Sequence, residues 1–396
     1  MEKETESEAE THIDIKPPPP PIFADVKPLK NHPTQEHPPI LLSFFSSGSS
    51  RRRRRRGDTW VVSVFVILHA VAFAATMFVN DCWHNSNEDC AVSALGRFSF
   101  QHFSENPLLG PSDSTLDEVG ALRRKFLTEN HQTWRLFAFP CLHAGLIHLI
   151  INLGSVVFIG IHLEMEFGPF RVGIIYVLSA FAGTLVAALF VQNRPVVGSS
   201  GPLYGLIGAA ISELIWNWRM YTDKFAALGS LFVVFTINLV LGFLPYVNNF
   251  ASIGGFIAGI LLGSVLLFSH QISQVPQNKG ALFEYSVKSS IKSKLRQKIH
   301  WSALRSVTLI LFCLLFAGCL VAFLRGIDMN KYCNWCQYVD CVPTEGWRCD
   351  DRVTSCEAMV SNTELTLTCM SNGNFRVFPF TNVSEARMND LCNVIC

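Results

Sequence analysis

Gly198-Ser199-Ser200-Gly201-Pro202-Leu203-Tyr204-Gly205 is the stretch on which the fold turns. It opens an apolar segment, 195–212, that contains no Asp, Glu, Lys or Arg. Gly201 and Gly205 stand four apart, so a helix places them on one face. Such a small-xxx-small pair lets a second helix come close to the backbone. A matching stripe follows downstream, where the apolar segment 250–268 carries Gly255, Gly259 and Gly263 at the same spacing. These two segments are expected to pack on each other as helices in a membrane. Ser200 heads the first stripe, and Ser252 stands just before the second.

Working outward, uncharged windows recur at 60–79, 141–163, 172–191, 195–212, 225–247, 250–268 and 307–324. A spanning helix needs about 20 mostly apolar residues, with a range of about 17–25. The expected architecture is therefore an all-α polytopic membrane protein of seven spans, a six-helix core with a further C-terminal span. A buried soluble bundle does not account for seven segments of this length. Composition agrees: 49% of residues are hydrophobic and 16% charged, where a soluble chain carries about 25% charged. The net charge of +1 gives no footing for nucleic-acid binding.

Basic residues orient the stack. Arg51 to Arg56 precede the first window. The loop after the sixth holds Lys279, Lys288, Lys292, Lys294, Arg296 and Lys298 against one acid, Glu284. The positive-inside rule puts both in the cytosol. The first loop, with eight acids and five bases, then faces the lumen, as does the tail after Leu324. That tail has eight cysteines, Cys333, Cys336, Cys341, Cys349, Cys356, Cys369, Cys392 and Cys396. An even, dense set in a short segment reads as a disulfide framework in an oxidising compartment. Cys333-x-x-Cys336 could instead open a zinc site, but the tail has no histidine and the lumenal side favours disulfides, so no metal or other cofactor is expected. Cys82 and Cys90 are a candidate pair in the first loop. Asn382-Val383-Ser384 is a glycosylation sequon on the same side. The expected location is the secretory pathway, with the Golgi the leading organelle.

Residues 1–58 differ in kind. An acidic start, Glu2 to Glu10, leads into five prolines, Pro17 to Pro21. This reads as a disordered cytosolic arm, and its acids argue against an organelle transit peptide. The first span would serve as its own insertion signal. The expected organisation is thus an arm at 1–58, a core at 59–268, a basic loop at 269–302, a seventh helix at 303–325 and a tail at 326–396.

Polar groups within spans are costly and point to function. His148 and Asn152 are four apart in the second window and share a helix face. They read either as hydrogen-bonding glue between helices or as donors aimed at a developing oxyanion. Spans two, four and six run in one direction, which brings His148, Asn152, Ser200 and Ser252 to a common depth.

At these residues the chain resembles the rhomboid family of intramembrane serine proteases, and closely its plant RHOMBOID-like group. Trp134-Arg135 resembles the first-loop WR motif. His143-Ala-Gly-Leu-Ile-His148-Leu-Ile-Ile-Asn152 resembles H-x4-H-x3-N, and Gly198 to Gly201 resembles G-x-S-G. Phe250-Ala251-Ser252-Ile253-Gly254-Gly255 to Gly259 resembles A-H-x-x-G-x-x-x-G, except that Ser252 stands where the family has its catalytic histidine. The resemblance implies that Ser200 fills the nucleophile position, that His148 and Asn152 fill oxyanion roles, and that Tyr204 flanks the histidine position. Pro202 is a second departure, since the family usually has a small residue there. A Ser-His dyad needs a base that takes the serine proton and later protonates the leaving amine. A serine at 252 cannot do this near neutral pH. The expected function is a pseudoprotease that binds transmembrane client proteins, with membrane lipid around it. The alternatives are an active protease with an unusual base and a purely structural membrane component.

Overall fold

The computed structural model describes residues 59–85, 90–103, 105–218, 221, 223–267, 294–333, 335–342, 356–361, 364–370, 373–379, 383, 388, 391–392 and 395–396. The arm expected at 1–58 and most of the basic loop expected at 269–302 lie outside these residues.

Seven long helices dominate: α1 (Trp60–Asn80), α2 (Leu146–Phe167), α3 (Pro169–Phe190), α4 (Ser200–Trp216), α5 (Lys224–Leu241), α6 (Asn249–Leu266) and α7 (Lys294–Leu324). Among the described residues, six stretches are long and apolar enough to cross a membrane; they fall on α1, α2, α3, α5 and α6 and on Ala303–Leu324 of α7. The count differs from the expected seven because α4 has only 17 residues. It starts late. Pro195 to Ser199 precede the helix, and two of them bridge to other segments: Val196 exchanges backbone hydrogen bonds with Leu122, and the Val197 amide donates to the Tyr246 carbonyl at 2.7 Å. What α4 lacks in length it recovers in burial. Leu203, Tyr204, Leu206, Ile207 and Leu214 are enclosed by Val62, Val156, Ile159, Ile175 and Leu262 from the surrounding helices.

Helix α2 extends past its uncharged window to include Glu164 and Glu166. Glu164 is tolerated there because it caps α1, whose own N-cap position, Thr59, makes no side-chain cap. The amides of Val61 and Val62 donate to its two carboxylate oxygens at 2.8 and 2.9 Å. Amides left unsatisfied in the first turn of a helix, with the positive end of the helix dipole, make this a favourable seat for a carboxylate.

The first loop folds over the end of the bundle where α2, α4 and α6 begin. Arg135 knits it together: its guanidinium donates to the Asp117 carbonyl at 2.6 Å, the Ala121 carbonyl at 2.9 Å and Gln132 Oε1 at 2.7 Å, and lies over the Phe126 ring. Cys82 and Cys90 form a disulfide in this loop. In the tail, β1 (Cys356–Val360), β2 (Leu365–Cys369) and β3 (Phe375–Phe378) make an antiparallel sheet in the order β1-β2-β3. Leu365 and Leu367 alternate inward on β2 to meet Phe378 and Leu391. Disulfides Cys356–Cys392 and Cys369–Cys396 staple this small core, and Cys333–Cys336 closes a turn nearer α7.

Candidate functional site

Helices α4 and α6 meet through their glycines. A Cβ built on Gly255 would strike the carbonyl oxygen of Gly201, and one on Gly259 would strike that of Gly205. The obstacles are backbone atoms, which cannot rotate aside. A Cβ on Gly205 would strike Ser179 of α3, so this glycine also admits a third helix. At the start of α4 the fit is equally tight, because a Cβ on Gly198 would collide with the Phe139 ring.

That contact sets Ser200 at the first residue of α4 and Ser252 in the first turn of α6, both buried. The Ser252 hydroxyl donates to Ser200 Oγ at 2.8 Å. Pro202 falls in the first turn of α4, where its missing N–H would have had no partner within the helix anyway. It does not disturb the turn that presents Ser200.

His148 and Asn152 lie in the first two turns of α2, also buried. His148 Nδ1 accepts from the Ala144 amide at 3.4 Å. Both polar atoms of the Asn152 side chain are buried without a hydrogen-bond partner among the described residues, and the His143 and His148 rings sit 5.3 Å apart. A buried polar group left unpaired costs about 1–3 kcal/mol. The site thus holds hydrogen-bonding capacity that the protein does not use. Tyr204 points elsewhere: its hydroxyl donates to the Phe235 carbonyl of α5 at 2.9 Å, and the two rings meet edge to face.

Two elements of the site escape motif reading. One is a pair between His69 of α1 and Tyr176 of α3, whose Nε2 and hydroxyl lie 2.8 Å apart, with the His69 ring edge-on to His143. The other is Asp340 of the tail. Its carboxylate accepts from Asn248 Nδ2 at 2.7 Å and from the amides of Asn249 and Phe250 at 2.7 and 3.3 Å. It therefore caps the helix that carries Ser252. The cap type of Asn248, whose side chain accepts from the Ala251 amide, is visible in sequence; a carboxylate some ninety residues away is not.

As for metal ligands, Cys356, Cys392 and Cys396 cluster closely, but each is already in a disulfide. Cys333 and Cys336 are bonded to each other.

Comparison with known proteins places these residues in context. The Rhomboid domain family model matches residues 130–269, which include α2, α4 and α6. Inactive RHOMBOID-like protein 8 of Arabidopsis thaliana is 51% identical over 305 residues, covering 77% of this chain and 86% of that protein. RHOMBOID-like protein 1 of the same plant is 41% identical, covering 85% of each. Inactive rhomboid protein 1 of Danio rerio is 31% identical, over 64% of this chain and 28% of that one.

Proposed function

The chain belongs to the rhomboid family, and from that premise we propose that it is a pseudoprotease, a member that binds membrane-protein clients without cutting them. One observation carries the reading. Ser200 needs a neighbour that accepts its proton, and its neighbour Ser252 instead donates one, at 2.8 Å. A hydroxyl in that place draws on the oxygen lone pair of Ser200 and offers no base for the attack. Losing the base of a serine protease costs on the order of 10⁶ in kcat. That two of the relatives bear the word "Inactive" agrees with this reading.

Client binding rests on the rest of the site. The unpaired amide of Asn152 offers hydrogen bonds to an unwound client backbone, which lipid cannot supply. The helix contact that shapes the site needs glycine, not catalysis. We place the site on the lumenal side of a secretory membrane, the Golgi first, with the N-terminus cytosolic. The basic runs and the disulfides of the tail and first loop support that orientation.

The test is photo-crosslinking of single-span clients in cells, beside complementation of a null mutant. Ser200→Ala is expected to retain both client capture and complementation, and Gly259→Leu to lose both. Failure of Ser200→Ala to complement, at normal level and location, would sink the binding-only reading.

A further inference from the structure

We propose that the segment 327–341 is an interfacial anchor, lying in the lipid headgroup layer at the end of α7 and tying the start of α6 to that layer. The argument is independent of whether the protein cuts its clients.

The ends of the segment fix its level. Apolar α7 ends at Leu324, and Ile327 follows three residues later, so it lies within about 11 Å even if fully extended. At the other end Asp340 is held by Asn248, Asn249 and Phe250 at the start of α6. Between them, Asn330 Nδ2 donates to the Phe190 carbonyl at the end of α3 at 2.8 Å, and Asp328 pairs with Arg124 of the first loop at 2.6 Å. The segment is thus pinned in turn to the ends of three apolar helices at one end of the bundle. It runs along that end and does not stand away from it.

Its two faces differ. Cys336 and Asp340 are buried, whereas Tyr332, Trp335 and Tyr338 are 80%, 69% and 53% exposed. Tyr332 directly follows the 3-10 turn Met329–Lys331, Trp335 directly precedes the 3-10 turn Cys336–Val339, and Tyr338 lies within it. Large aromatic rings with polar tips, left bare at the level where apolar helices end, match the chemistry of the membrane–water interface. Exposed Lys331 adds a cation for lipid phosphate. The Cys333–Cys336 disulfide holds the turn that presents Trp335.

The test uses the full chain in lipid nanodiscs. Eight tryptophans make the raw emission ambiguous, so the signal of Trp335 is the difference between wild type and Trp335→Phe. This change replaces the exposed indole with a phenyl ring and leaves the cap on α6 intact. With lipids brominated near the headgroup end of the acyl chain, the Trp335 component is expected to be quenched. With lipids brominated at the chain end it is expected to persist, and aqueous acrylamide is expected to reach it poorly. Free quenching by acrylamide with no effect of either brominated lipid would place the segment in water and overturn the proposal. A component quenched by neither reagent would mean that protein covers it, and would overturn it equally.

Discussion

Ser252 and a histidine differ in what each does with the proton of Ser200. An imidazole at that place accepts it; the Ser252 hydroxyl donates its own at 2.8 Å. Ser252→His should therefore bring slight cleavage of a general rhomboid substrate above background. The new ring enters a buried, closely packed turn, so a rate like that of an active member is not expected; such a rate from this one change would show that the rest of the site has not drifted. Asp340 is the second residue with a measurable consequence. Removing a helix cap costs about 0.5–2 kcal/mol, so Asp340→Ala should lower the melting temperature at pH 6. Burial is the largest influence on its carboxyl and pushes it from 3.8 up to about 7, against the pull of Arg194 and the Asn249 and Phe250 amides. The docked form therefore binds a proton that the undocked form releases. Its stabilising contribution is full below the ordinary carboxyl value and is lost as pH rises through about 7. Melting curves from pH 5 to 8 should show the gap between wild type and Asp340→Ala narrowing with rising pH. A gap that widens would mean the hydrogen bonds to the charged form outweigh its desolvation.

At the scale of elements, the α4–α6 contact governs the fold. Gly259→Leu must push aside the Gly205 carbonyl, and overpacking costs about 1–3 kcal/mol even where side chains can yield. Here the obstacle is backbone, so thermal unfolding in detergent should show a loss at or above that range. Ser200→Ala removes one hydroxyl pair, worth about 0.5–1.5 kcal/mol, and should shift the same curve far less. Equal shifts would mean the glycine stripe does not hold the helices together. This contact was legible because its signal is local to each strand of sequence: glycines at steps of four in two uncharged segments. The end of α4 nearest Ser200 was less so. Val196 and Val197 look as apolar as the helix they precede, yet they pair with Leu122 and Tyr246, residues that periodicity cannot connect. Glu164 was hidden for a similar reason, since its charge reads as the end of a span until the amides on α1 that donate to it are known. The His69–Tyr176 pair and the Asp340 cap join elements far apart in the chain, and no spacing rule announces them.

Over the whole molecule, topology and tail make one joint prediction. Protease added to sealed microsomes should digest the arm before Trp60 and spare the tail after Leu324; a tail digested in intact vesicles would refute the orientation. Non-reducing mass spectrometry should find Cys356 joined to Cys392 and Cys369 to Cys396, with free thiols at these positions contradicting the folded tail. The cysteine count points to pairing but not to partners: Cys356 and Cys369 lie opposite each other on β1 and β2, yet each bonds to a cysteine 36 or 27 residues further on, Cys392 and Cys396. The central claim is that this rhomboid framework lacks proteolytic chemistry. It is tested most directly by incubating purified protein in liposomes with a general rhomboid substrate, beside Ser200→Ala. The account predicts no product above the Ser200→Ala background from the wild-type chain. Cleavage by the wild type that Ser200→Ala abolishes would contradict it.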